Sequence, residues 1–479
     1  MGVTWKYWRR AMFCLALGST LTMTGRPASA SDPVPVETPV WTGTGSCAAA
    51  ACHGGRREPI GLKGSEYSFS EAYDPHSRAF SVLYNDRSLV IERNYRRLAS
   101  LEAARPFEDD TCLRCHVHQG YDARTPWSRT PEFAVADGAG CEGCHGAAGK
   151  WLVPHMEYGW QGLSDRQKYE VFGMRPTKDL LARGQSCTEC HVGLGSTDVN
   201  HDLIAAGHPR LNFEYGSQLA KLPKHWRVDD DKARHPDYEA KVWVLGQILT
   251  ARASLDLLES RASRSIPDDS TSPWPEFAEY SCFSCHHELV QQGWASANAT
   301  QLPKPGSLQW GTWSLPMAKV LGPLGPGLDA DESGSTFGQL RELMSRPVPD
   351  AALVANRARA ASDELGRLAE SINGVRIGTG DVRNMLSAAL KLDESSRPLD
   401  WDGAARRYLA IVALDKALAD SDPSAPGRPD QSALGRLYKD LDLPLQVDRR
   451  GGIFDSPYRF DAERIKGDLR SLLSAHSNP

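Results

Sequence analysis

Apolar residues recur at helical spacing in four stretches of the chain. From Asp237 to about Ala262, Val242, Leu245, Leu249, Ala253 and Leu257 fall on one face of a predicted long helix. Asp350 is placed to cap a helix carrying Leu353, Ala361, Leu365, Leu368 and Ile372. A further helix is predicted from about Asp402, with Ala404, Tyr408, Ile411, Leu414 and Leu418 on one side, and another from Asp461, with Ile465, Leu469 and Leu472. Residues 335–479 therefore read as a helical bundle that covers the rest of the chain or forms a subunit contact. Residues 302–334, rich in Pro and Gly, read as a linker or an irregular wrap.

The N-terminus follows a different pattern. Lys6, Arg9 and Arg10 precede a short apolar run from Ala11 to Met23, and Ala28-Ser29-Ala30 follows as a small-residue cleavage site. Residues 1–30 are expected to be a cleavable signal peptide, which implies export to the periplasm. The apolar run is too short to span a bilayer, and Phe13 before Cys14 does not suit lipoprotein processing. The formal net charge of −5, the pI near 6.3 and the mean hydropathy of −0.44 suit a soluble protein. Without a block of like charge, no nucleic-acid groove and at most peripheral membrane contact is expected.

The cysteines change this picture. Ten of the eleven lie between Cys47 and Cys285, and all ten form pairs followed at once by histidine. The pairs are Cys47 and Cys52 before His53, Cys112 and Cys115 before His116, Cys141 and Cys144 before His145, Cys187 and Cys190 before His191, and Cys282 and Cys285 before His286. Two thiols that add to the vinyl groups of one porphyrin, with the next histidine under the iron, require this order. Zinc sites use cysteine pairs without a histidine after each one, and a redox dithiol would explain one pair but not five. The spacing predicts five covalent hemes c within residues 31–301, each with a proximal histidine on iron. The first site is widened by four alanines, which must bulge because the vinyl separation is fixed. About one heme per fifty residues leaves no room for an ordinary core. The expected fold is mainly α, a loop-rich cytochrome domain of short helices around stacked hemes followed by the helical bundle. Trp127, Trp151, Trp160 and Trp226 are candidates to pack on heme edges or in plain core.

Each iron has a second axial position. Nine histidines remain for it, His76, His118, His155, His201, His208, His225, His235, His287 and His476, against only Met156 and Met174 in the heme region. Histidine ligation should dominate, and with it low potentials. His118 is tethered beside its own motif, His225 and His235 lie in a charged stretch that reads as solvent-facing, and His287 reads as a hydrogen-bonding residue.

From Gly43 to Glu288 the sequence resembles the multiheme cytochromes related to hydroxylamine oxidoreductase, especially their tetraheme electron-carrier branch. The resemblance rests on the five motifs, Asp74-Pro75-His76-Ser77-Arg78-Ala79, the segment Gly140 to His155, and Ala206-Gly207-His208-Pro209-Arg210. It implies His76 as distal ligand of the third heme, His155 of the fourth and His208 of the first, and an open iron at the second. The fifth motif and the widened first motif depart from that pattern, and His201 is the candidate for the fifth heme.

Six-coordinate hemes conduct and do not bind substrate, so the expected function is periplasmic electron transfer between redox protein partners, as a free carrier or as a subunit of a larger respiratory complex. The alternative is a heme reductase or oxidase of nitric oxide, nitrite or hydroxylamine, which needs one open iron. The second heme is its candidate. No catalytic cluster stands out in the sequence.

Overall fold

The computed structural model describes residues 39–56, 63–117, 135–282 apart from 196 and 268, 285, 308–325 apart from 312 and 316, 328–329, 334–391, 399–421, 427–441, 443 and 461–477, with side chains through 474 in the last of these. The expected signal segment 1–30, Trp127, His118, His286, His287 and the side chain of His476 lie outside the described residues.

Helices and the loops between them make the fold, as the sequence predicts. Among the described residues the only extended pairings are two isolated bridges, Leu194 with Thr197 and Tyr280 with Trp310. The first half carries short helices: α1 (Glu66–Tyr73), α2 (Asp86–Arg96), α3 (Asp110–His116), α4 (Cys141–His145), α5 (Asp165–Phe172), α6 (Leu180–His191), α7 (His201–Ala205), α8 (Tyr215–Lys221) and α9 (Val228–Arg234). The long α10 (Tyr238–Ser265) follows, then α11 (Ala318–Leu321), α12 (Thr336–Met344), α13 (Ala351–Gly374), α14 (Thr379–Leu390), α15 (Trp401–Ser421), α16 (Gln431–Asp440) and α17 (Ala462–Ser477).

α10 organises the main core. From Ala240 to Ala251 every residue of it is buried, as expected of a helix packed on all sides. α13 lies along it most extensively, and α6, α8 and α15 cover other parts of its surface. The resulting core runs without a break from Leu180 to Leu472. The Pro- and Gly-rich stretch joins it through Trp310, Trp313, Leu315, Val320, Leu321 and Leu328. α13 and α15 thus bury their apolar faces against the same α10 that follows the fourth motif, and α12, α14, α16 and α17 pack onto them and one another.

Among the described residues, those outside this core form only three small clusters, centred on Leu83, Leu113, Val117 and Val135, on Ile91, Leu203 and Ala206, and on Ala148, Trp151 and Trp160. This is the layout expected where porphyrin surface replaces side-chain packing. Among the described residues no helix is long and apolar enough to cross a membrane.

Candidate functional site

Three of the cysteine pairs occupy the last turns of helices. α3, α4 and α6 end on His116, His145 and His191. Cysteines three apart share a helix face, and the histidine that follows ends the helix beside them. Local capping sets where these helices begin. Asp109 accepts from the Thr111 amide at 2.8 Å ahead of α3, and Asp179 accepts from the Ala182 amide at 2.8 Å ahead of α6. After α4 the chain turns at Gly146 with φ of 84°, and a Cβ there would lie 2.5 Å from the Gly173 carbonyl oxygen.

The first motif is built differently. Cys47 ends the short turn Thr44–Cys47, and the amides of Cys52 and Gly54 both donate to the Ala49 carbonyl, at 2.8 and 3.0 Å. The four alanines form a compact turn. The loop before it is fastened to the third motif: Glu142, between Cys141 and Cys144, accepts from the amides of Thr42, Gly43 and Ala148 at 3.1, 2.8 and 2.6 Å.

Across from each of four motif histidines stands a second histidine. Centre to centre, His155 faces His53 at 6.3 Å, His208 faces His116 at 6.5 Å, His225 faces His145 at 6.3 Å and His76 faces His191 at 5.9 Å. An imidazole nitrogen binds a first-row metal at about 2 Å, so two rings on opposite sides of one ion stand roughly 6 Å apart. Five of these rings also have Nδ1 engaged, which leaves Nε2 for a metal. His53 donates to Glu66 at 3.0 Å, His76 to Asp74 at 2.8 Å, His116 to the Ala79 carbonyl at 2.7 Å, His155 to the Leu152 carbonyl at 2.5 Å and His208 to the Pro209 carbonyl at 2.8 Å. Burial pushes His145, His191 and His208 down to about 4, which keeps them neutral, the form in which imidazole binds iron. The hydrogen bond to Asp74 moves His76 the other way.

These positions correct the sequence reading at several points. His76, His155 and His208 face motif histidines, but not those that the resemblance implies. His76 meets the fourth site instead of the third, His155 the first instead of the fourth, and His208 the second instead of the first. The second site, expected to be open, therefore has a histidine across from it. His225, expected in solvent, is drawn inward against His145 because Trp226 beside it is clamped. The Trp226 indole N–H donates to Asp231 at 2.8 Å, Arg183 lies 5.0 Å over its ring, and Arg183 pairs with Asp231 at 2.9 Å. His235, also expected in solvent, has its Nε2 buried. An apolar tryptophan next to a histidine inside a charged run was the available signal for His225. His201 meets no other histidine among the described residues; its ring lies 5.8 Å from Phe277, five residues before Cys282.

The sites adjoin one another in a definite order. The Cys47 thiol neighbours that of Cys141, and the Cys115 thiol that of Cys190. Cys144 lies within electrostatic reach of Cys187 and Cys190. The motifs thus run one, three, four, two. Arg210, two residues after His208, senses Cys282 of the fifth motif and pairs with Asp402 of α15 at 2.7 Å.

Heme fits this donor set. The first four sites offer paired cysteines and histidines opposed across a gap of one iron, and among the described residues no three His, Cys, Asp or Glu side chains converge as a bare-metal site would require. No curated protein and no solved structure matches the chain. Residues 48–146, which hold the second and third motifs and all of the first but Cys47, are similar to the family described as cytochrome c554 and c-prime, and this match supports a multiheme c-type cytochrome with covalent heme and heme-based electron transfer.

Proposed function

We propose that the protein transfers electrons in the periplasm through five covalently attached hemes, four of them ligated by histidine pairs. The observation that carries this reading is the set of four opposed imidazole pairs at about the spacing of two ligands on one iron. The cysteines anchor each porphyrin, His53, His116, His145 and His191 hold the proximal side, and His155, His208, His225 and His76 hold the distal side. His286 is the proximal residue of the fifth site and His201 its candidate distal residue. Heme supplies a one-electron couple at each site. His155, His208, His225 and His76 would close the second axial position of a heme bound at each of these four sites, which would leave it for electron exchange and not for ligand binding. The reductase or oxidase alternative loses its main support, because His208 stands where the open second site was expected.

Intact-mass analysis with paramagnetic resonance tests the proposal. A mass corresponding to five hemes is expected, and reduced protein should bind at most one equivalent of carbon monoxide, at the fifth site. The planes of His53 and His155 differ by 18°, whereas those of the His76–His191 and His116–His208 pairs differ by 87° and 88°. Near-parallel axial rings give a rhombic ferric signal and perpendicular rings a highly anisotropic one, so both kinds should be present. Carbon monoxide binding at the heme of Cys112 and Cys115, or turnover of nitrite or hydroxylamine lost on changing residues beside it, would overturn the carrier reading.

A further inference from the structure

The Nδ1 partners of the facing histidines differ in charge. At the first site His53 donates to the Glu66 carboxylate at 3.0 Å, and at the fourth site His76 donates to the Asp74 carboxylate at 2.8 Å. At the second site both rings donate to neutral oxygens, His116 to the Ala79 carbonyl and His208 to the Pro209 carbonyl. We propose that Glu66 and Asp74 set the potentials of the first and fourth hemes below that of the second, and so give electron flow a direction. This rests on the ligation proposed above.

Both carboxylates are held in place by a second donor. Glu66 opens α1 and its Oε2 also accepts from the Gly64 amide at 2.8 Å. Asp74 Oδ1 also accepts from the His76 amide at 3.0 Å, and Pro75 starts the turn that carries the ring. The Asp74 side chain is only 13% exposed, so water screens it little. A carboxylate that pulls on the Nδ1 proton makes the imidazole a stronger donor through Nε2. A stronger donor favours the ferric state. The nearby negative charge does the same by simple Coulomb attraction for the more positive iron. A carbonyl oxygen has a weaker effect of the first kind and no net charge for the second. Asp74 therefore holds the fourth site lower than the second, which adjoins it through Cys190 and Cys115. With heme held at both sites, one electron would pass from the site of His76 and His191, which would be oxidised, to the site of His116 and His208, which would be reduced, with no proton transferred. Electrons that arrive along the chain of sites collect at the second motif, next to Arg210 and the fifth.

The experiment is a redox titration of the full holoprotein, read by paramagnetic resonance, for Glu66→Gln and Asp74→Asn. Each replacement keeps an oxygen acceptor and removes the charge, so all sites should stay low-spin. Glu66→Gln should raise the potential of the site whose signal His155→Ala removes. Asp74→Asn should raise that of the site whose signal His76→Ala removes. Each shift should be at least tenfold in the ratio of oxidised to reduced form, about 59 mV for one electron. Asp74→Glu, which keeps the charge, should remain near the wild-type value. Unchanged potentials in both charge-removing variants, alongside the expected spin changes in His155→Ala and His76→Ala, would overturn the inference alone. No spin change in either histidine variant would overturn the ligation itself, and the inference with it.

Discussion

His225 faces His145 ring to ring at 6.3 Å, although 80 residues separate them and His225 sits among lysines and arginines. The chain reaches this arrangement because α6 carries Arg183 and α9 carries Asp231, and their ion pair traps Trp226 between them. A fold contact far from the cysteine motifs thereby delivers a candidate ligand to the third site.

Replacing His225 with Ala should convert one heme from low-spin to high-spin, keep the mass of the fully loaded protein, and open one new carbon monoxide site in the reduced state. His208→Ala should do the same at the second heme. Optical and paramagnetic-resonance spectra check both. An unchanged spectrum in His225→Ala would return that residue to the surface role its charged neighbours suggest.

Asp231→Asn should act on both stability and the site. It leaves the Arg183 guanidinium buried without its counter-charge, which typically costs about 3–5 kcal/mol. Denaturant unfolding measures this loss. The third heme should also gain a high-spin fraction as His225 loosens, while the other sites keep their signals. The double replacement Arg183→Met with Asp231→Leu removes both charges and should recover much of the stability. Full stability and a wild-type spectrum in Asp231→Asn would show that the clamp positions nothing.

Asp400, at the start of α15, should make stability depend on pH. Burial first, and then the charge of Asp402, push its carboxyl from 3.8 up to about 6; the Gly403 amide at 2.7 Å, the Ser281 hydroxyl at 3.3 Å and Arg210 act the other way, and Arg406 faces it as well. A folded value above the unfolded one means that folding favours the protonated acid. Its contribution is complete below about 3.8 and is lost as pH rises through about 6. Asp400→Asn should therefore flatten the decline across that window and unfold at a higher temperature than wild type at neutral pH. Thermal unfolding against pH checks this; an unaltered slope between those two values would assign the effect elsewhere.

The long helices were readable because their apolar residues repeat at the helical period, and α10, α13, α15 and α17 lie where that repeat places them. Periodicity alone set some faces slightly wrong. Leu353 is 40% exposed, whereas Val354, Ala358 and Leu365 are fully buried, because in α13 the partner α10 selects the face and alanine counts there as much as leucine. α12, α14 and α16 are too short for the period to stand out, and each is buried mainly against the helix that follows it, α13, α15 and α17.

The covalent chemistry at each motif is local, so the sequence determined by itself which cysteines and which adjacent histidines form each candidate heme site. Two cysteines and a histidine within a few residues have their geometry set by one helical turn, as in α3, α4 and α6. The pairing across each iron gap is not local. His76, His155, His208 and His225 come from loops and short helices whose positions follow from Asp74, from the Trp151 cluster and from the Arg183–Asp231 clamp. Nothing within a few residues of a histidine encodes which partner it will meet 6 Å away. Only the tertiary structure decided that, because contacts between distant segments fix both ends of the gap.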